Sequence, residues 1–198
     1  MSHKNNLGTK YIHAGAHPDP STGAIMTPIY QTSTYVQSAP GVHKGYEYAR
    51  TQNPTRNVLQ NNLAALEGMN YGMCFSTGMG AVDACIKLLS PGDEVVSTND
   101  LYGGSYRIFT KIFANYGIVF KFVDMSDIDA VKAAVNEKTK MVWVETPTNP
   151  LLRIIDIEAM CQIGHSVGAI VVVDNTFSSP YLQNPSNFGA DIVMHSAT

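Results

Sequence analysis

Five short aliphatic runs constrain this chain more than anything else in it: EVVST (94–98), IVFKFVD (118–124), KMVWVE (140–145), AIVVVD (169–174) and DIVMHS (191–196). Their apolar residues are nearly consecutive, so a strand made from any of them would bury both faces; a half-solvated antiparallel sheet alternates instead. Between and before them the spacing becomes helical. TRNVLQNNLAALEG puts Leu59, Leu63 and Leu66 on one stripe and offers Gly68 as a C-terminal cap. TGMGAVDACIKLL aligns Val82, Ile86 and Leu89, and GSYRIFTKIFANYG, DIDAVKAAV and DIEAMCQIGHSVG supply three further helices. A sixth apolar run, YGMCFS (71–76), reads as one more short strand. Alternating buried strands and amphipathic helices predict an α/β fold, a mostly parallel sheet covered on both faces.

Residues 1–55 break this pattern. HPDPSTG, SAPGVHKG and TQNPT are turn-rich, yet the segment holds many Tyr and Thr and few Glu and Lys, unlike a disordered tail. It is expected to be an ordered arm packed on its own body or on a neighbouring subunit, ahead of a regular body at 56–198. A chain of 198 residues can bury a core without disulfides or metals. Thirteen basic and sixteen acidic residues give a net charge of -3 with no basic run, which excludes electrostatic attraction to nucleic acid or an anionic membrane. Charged residues make up 15% of the chain, against roughly 25% in an average domain, and so favour an oligomer. Cys74, Cys85 and Cys161 are odd in number, lack CxxC spacing and are expected as reduced core thiols, which suits the cytoplasm. The start MSHKNNLGTK has no apolar signal-peptide region, and AIVVV is far too short to cross a bilayer.

In an open α/β sheet, ligands bind beyond the carboxyl ends of the strands. Five polar stretches follow the apolar runs: Ser76 to Gly80, Asn99 to Tyr102, Glu145 to Asn149, Asp174 to Thr176, and Ser196 to Thr198. One such stretch is an ordinary turn; five in register point to a shared pocket. STGMGA would expose backbone N–H groups and the positive end of a helix dipole, which suits a phosphate. It lacks the third glycine of GxGxxG and the GK[ST] of a P-loop, so a phosphorylated cofactor fits better than a dinucleotide.

Asp174 closes AIVVVD, where a carboxylate is costly without a positive partner. It either caps the next turn through Asn175 and Thr176 or holds a cationic ligand atom. Tyr102, beside two glycines, either stacks on a ligand or fills the core. No HExxH is present; His13 and His17 lie four apart in a loop, and His195 has no partner at ligand spacing, so no metal is expected. No electropositive cysteine motif occurs. A nucleotide-binding Rossmann-like dehydrogenase would need a GxGxxG with a downstream acid, and neither is found.

YEYARTQNPTR, STGMGA, LYGGSYR, VETPTNP, VDNTF and the closing HSAT, in this order and spacing, resemble the Cys/Met-metabolism family of pyridoxal 5'-phosphate (PLP) enzymes across Tyr11 to Thr198. The resemblance implies the fold type I, aspartate-aminotransferase-like large domain, with a small C-terminal domain outside this sequence. It implies that Gly78 and Met79 offer backbone N–H to the cofactor phosphate, that Ser196 and Thr198 add hydroxyls, and that Tyr48 and Arg50 reach the phosphate in a neighbouring subunit's site. Tyr102 would stack on the pyridine ring and protonate the leaving group. Asn149 would contact the phenolic oxygen or the substrate, Asp174 the protonated ring nitrogen, and Thr176 a point near the ring. Glu145 reads as a structural strand-end residue.

The family's Schiff-base lysine directly follows Ser-x-Thr. It is therefore expected immediately after Thr198, carrying the cofactor, in a longer subunit that assembles as a homotetramer, a dimer of dimers. The implied substrates are sulfur amino acids or acylhomoserines. YEYARTQNPTR most resembles the members that cleave or assemble cystathionine at its γ carbon. Family members specialised for methionine usually carry Cys where this chain has Gly104. The favoured reading is α,γ-elimination of cystathionine to cysteine, 2-oxobutanoate and ammonia. γ-Replacement on an O-acylhomoserine comes next, and β-elimination, sulfhydrylation of homoserine derivatives and methionine γ-elimination stay open. A non-catalytic partner-binding domain would leave the Tyr48/Arg50 arm and VDNTF without a task.

Overall fold

The computed structural model describes residues 7–197. The chain divides into two compact units, one ending at Cys74 and the other starting at Phe75.

In the first unit, α1 (Leu7–His13) packs along α2 (Pro54–Glu67). Helix α2 begins where expected: the Asn53 side chain accepts the N–H of Thr55 and Arg56, Pro54 opens the first turn, and Gly68 ends the helix with a left-handed φ of 70°. The predicted leucine stripe is only partly covered. Leu66 is 6% exposed but Leu59 is 52% exposed, and Ala64 and Glu67 complete the buried face. Helix α1 lies inside the arm read as irregular and buries none of its own residues. It is held from outside: the Asn62 side-chain amide donates to the carbonyl of Ala14 at 2.9 Å and to those of Lys10 and Tyr11 at 3.4 and 3.5 Å, at the C-terminal end of the helix. The run 71–76 forms no strand. Tyr71 and Met73 are 86% and 77% exposed, and the Cys74 N–H donates to the Gln60 side chain instead of to a ladder. Cys74 is accordingly half-buried, unlike the core thiols Cys85 and Cys161; all three are free.

The second unit is built on strands β1 (Glu94–Thr98), β2 (Val119–Val123), β3 (Thr139–Glu145), β4 (Ile170–Asp174) and β5 (Ile192–Met194). All pair in parallel, in the order β2-β1-β3-β4-β5. The unbroken hydrophobicity of β1, β3 and β4 is explained by a core on each face. The edge strand β2, expected to be buried on both faces, has no fully buried residue, because among the described residues no strand covers its outer side. Val96, Val142, Val144, Val171 and Val173 face α5 (Ile128–Ala134) and α6 (Ile157–Ser166) together with Val131, Met160 and Cys161. Val95, Met141, Trp143 and Val172 face α3 (Gly78–Ile86) and α4 (Gly103–Lys111) together with Val82, Ile86 and Phe109. On that side Phe109 meets Trp143 edge-on at 5.3 Å and stacks on Phe120 at 4.8 Å.

The long helix expected over GSYRIFTKIFANYG ends at Lys111, and Phe113–Tyr116 form a separate 3-10 turn closed by Gly117. A short α7 (Ser179–Leu182) and a 3-10 turn at Pro185–Phe188 fill the connection before β5. Among the described residues no helix is long and apolar enough to cross a membrane.

Candidate active site at the strand carboxyl ends

The strand order reverses at the centre of the sheet. After β1 the chain moves outward to β2, then returns to place β3 on the other side of β1. The connections leaving β1 and β3 therefore part in opposite directions and open a crevice at their carboxyl ends. A cavity of about 350 Å³ lies there, walled by Tyr102 after β1, Glu145, Pro147 and Asn149 from β3, Asp174, Thr176 and Phe177 from β4, and Met194 and Ser196 from β5. Thr77, Gly78, Met79 and Val82 from the start of α3 complete the wall. A more open hollow of about 400 Å³, lined by His165, Gly168 and Asp191 among others, sits at the amino ends of β4 and β5, away from this convergence.

Helix α3 presents its amino terminus to the cavity. The Thr77 side chain accepts the Gly80 N–H at 2.9 Å, while the first-turn N–H groups of Gly78 and Met79 have no acceptor within the helix. Ser196 sits directly against this turn: a Cβ on Gly78 would fall 2.7 Å from both its Cβ and its Oγ. Only glycine lets the two walls meet there, and the pairing sets N–H groups beside a hydroxyl, a cradle suited to an anion.

The ends of β3 and β4 make the cavity wall acidic as well. Asp174 is 7% exposed, and burial raises its carboxyl above the ordinary value despite hydrogen bonds from Thr176 and the charge of His195. Glu145 is 5% exposed, and burial pushes it up to about 8, against the N–H groups of Tyr102 and Asn149 that favour its ionised form. No lysine or arginine is among the lining residues. Two buried carboxylates facing one space are stabilised by a bound cation, such as a protonated ring nitrogen or an ammonium group.

The predicted site residues fall into three groups. Gly78, Met79, Tyr102, Asn149, Asp174, Thr176 and Ser196 all line the cavity. Tyr102 is 49% exposed, so it is not a core aromatic. Of the two roles open to Asp174, the turn-capping one is present: Oδ1 accepts the Thr176 N–H at 3.1 Å and its hydroxyl at 2.6 Å, and Oδ2 is not engaged by Thr176. The Thr176 hydroxyl in turn accepts the Ser196 N–H at 2.9 Å, so it links Asp174 to the β5 turn. Tyr48 and Arg50 belong to the first unit, where the guanidinium lies 4.6 Å above the tyrosine ring. Thr198 lies outside the described residues. Glu145, read from sequence as a strand-end residue, lines the cavity, as do Pro147 and Phe177. The signal that singled out Asp174, a carboxylate closing a buried Val-rich strand, was present at Glu145 as well.

The family model for "Cys/Met metabolism PLP-dependent enzyme" matches residues 8–198. The chain belongs to the Cys/Met-metabolism family of PLP-dependent enzymes. It is similar to cystathionine gamma-lyase of Dictyostelium discoideum, at 49% identity over 100% of this chain and 52% of the relative. Cystathionine beta-lyase of Coxiella burnetii is 50% identical over 98% of this chain and 51% of its own length. A probable cystathionine gamma-synthase of Herpetosiphon aurantiacus is 48% identical over 97% and 60%. The crystal structure of metB from Corynebacterium glutamicum superposes with a TM-score of 0.95 at 48% identity, covering 97% of this chain and 50% of that one. The chain spans about half the length of most of the curated relatives it matches.

The cavity fits this family's cofactor on its own geometry. The Gly78–Ser196 cradle suits a phosphate, and the buried Asp174 carboxylate suits a cationic ring nitrogen.

Proposed function

We propose that this chain is the cofactor-binding part of a PLP-dependent cystathionine γ-lyase, which cleaves L-cystathionine by α,γ-elimination to L-cysteine, 2-oxobutanoate and ammonia. The observation that carries the proposal is one cavity lined by an anion cradle at the start of α3, a buried Asp174, Tyr102 and Asn149 together. When bound there, PLP supplies an electron sink for the charge left at the substrate α-carbon.

The protein's own residues prepare that chemistry. The N–H groups of Gly78 and Met79, with the hydroxyls of Ser196 and Thr198, hold the phosphate, and Tyr48 and Arg50 reach it in a neighbouring subunit's site as part of a dimer of dimers. Arginine suits this because its planar fork binds phosphate oxygens in pairs. Asp174 holds the ring-nitrogen proton, and the Thr176 hydroxyl keeps that carboxylate aimed. Asn149 contacts the phenolic oxygen or the substrate. The Tyr102 ring covers one face, and its hydroxyl hands a proton to the departing sulfur. The lysine expected after Thr198 moves the α-proton. The substrate is a small sulfur amino acid, and the enzyme works in the cytoplasm, with neither nucleic acid nor membrane as partner.

Gly104 and the YEYARTQNPTR segment support γ-cleavage of cystathionine over the methionine-specialised reading. The second reading is cystathionine γ-synthase, favoured by the same segment. Cystathionine β-lyase, homoserine sulfhydrylase and methionine γ-lyase rank after it. Product analysis of the full-length enzyme with cystathionine separates them. Cysteine with 2-oxobutanoate is expected. Homocysteine with pyruvate would replace the proposal with β-cleavage, and turnover only after an O-acylhomoserine is added would replace it with a synthase.

A further inference from the structure

Glu145 is a buried carboxylate with no task in the mechanism above, and the sequence offered it only a structural one. Among the described residues it forms no ion pair. Both of its oxygens accept one backbone N–H, that of Tyr102, at 2.9 and 3.1 Å. The backbone N–H of Asn149 is directed at the same carboxylate. Tyr102 occupies the N-cap of α4, where its own N–H has no acceptor within the helix and is taken by Glu145 from outside it.

A second carboxylate ties the same two connections in the opposite sense. Asp100, in the connection after β1, accepts the Thr148 hydroxyl and the Leu151 N–H, the latter at 3.1 Å. Asp100 thus secures the loop after β3, and Glu145 secures both the start of that loop and the turn that delivers Tyr102.

We propose that Glu145 is a positioning residue that acts through Tyr102 and Asn149, fixing the aromatic ring and the amide at a set separation across the crevice. The choice of a carboxylate follows from its chemistry. When ionised it is acceptor-only and can take both N–H groups at once, and those N–H groups in turn favour the ionised form against the burial that favours the protonated one. The amide of a glutamine has a single acceptor oxygen and turns its NH₂ toward the other donor. The functional consequence rests on the cofactor-site reading above; the hydrogen-bond role does not.

The test uses the full-length enzyme as wild type, Glu145→Gln, Glu145→Ala, Tyr102→Ala and the Glu145→Ala/Tyr102→Ala double variant. Amide hydrogen exchange on cofactor-free protein is expected to show Glu145→Ala raising exchange at Tyr102 about 10-fold or more while β1 and β3 stay protected. With cofactor bound, Glu145→Ala should lower kcat about 10- to 100-fold with KM within about 3-fold, and alter the visible circular dichroism of the cofactor. Glu145→Gln, close in volume, should recover part of both effects. The kcat loss should largely disappear when Tyr102 is already alanine.

Unchanged exchange at Tyr102, a loss of protection spread evenly over β1 and β3, or a kcat penalty fully additive with Tyr102→Ala would overturn the proposal. If the wild type shows no cofactor absorbance, the site reading fails, and the exchange measurement still decides whether Glu145 holds the Tyr102 turn.

Discussion

Gly104 shows how a residue with no side chain shapes the site. A Cβ at this position would lie 2.4 Å from Cε1 of Tyr102 and 2.9 Å from Sδ of Met79, closer than packed atoms approach. The sequence drew attention to Gly104 only as a point of difference from methionine-specialised relatives; the structure supplies a physical meaning, room for the Tyr102 ring. Gly104→Ala is expected to turn that ring, lowering kcat about 10-fold while changing stability by less than about 1 kcal/mol, because the ring can swing outward from its half-exposed position. Steady-state kinetics alongside a denaturation curve would check it, and unchanged kcat would mean the ring's orientation does not matter. Asp174 was legible because a carboxylate closing a buried valine run needs a partner. Glu145 carried the same signal, but its partners, the N–H groups of Tyr102 and Asn149, come from two different loops. No local pattern could announce that meeting.

The elements divide between those specified by their own residues and those specified by neighbours. Helices α2, α3, α5 and α6 begin at Asn53, Thr77, Asp127 and Asp156, whose side chains accept first-turn N–H groups, and such caps are readable from sequence. Helix α1 is the contrary case. It has seven residues, none buried, and its C-terminal carbonyls are taken by Asn62 from 48 or more positions away. A helix that short is marginal in isolation. Asn62→Ala is expected to raise amide exchange across Leu7–His13 about 10-fold or more while global stability shifts by about 1 kcal/mol or less. Equal protection in the variant would show that α1 stands without this anchor. The run 71–76 fails in the other direction: it has strand composition, but strands exist only as pairs, and its one Cys74 N–H goes to Gln60.

At the scale of the molecule, the two buried carboxylates make stability depend on pH. Glu145 is pushed from an ordinary 4.5 up to about 8, and Asp174 is raised from 3.8, both by burial. Between about pH 4.5 and pH 8 the folded protein therefore keeps a proton on Glu145 that the unfolded chain has released. The native state binds more protons, so stability falls as pH rises through this window and levels off above it. For cofactor-free full-length protein, the loss from pH 5 to pH 8 should be on the order of 1–3 kcal/mol, read from denaturant midpoints. Glu145→Gln should flatten the fall. A slope unchanged by that substitution would place its origin elsewhere. A cation bound against Asp174 should act oppositely on its share, since it favours the ionised carboxylate.

The α/β class, the parallel sheet with two buried faces and the strand-end position of the polar residues were already determined by the sequence, because burial on both faces leaves an unbroken aliphatic record. Membership of the family was equally legible, since its motifs are short, ordered and local. What only the tertiary structure decided was the strand order β2-β1-β3-β4-β5, hence which loop ends face one another. That order puts Gly78 against Ser196 and hands the Tyr102 N–H to Glu145, 43 residues away. Hydrophobic periodicity reports whether a face is buried, not against what; contacts between distant loops are set by chain topology, which has no local signature.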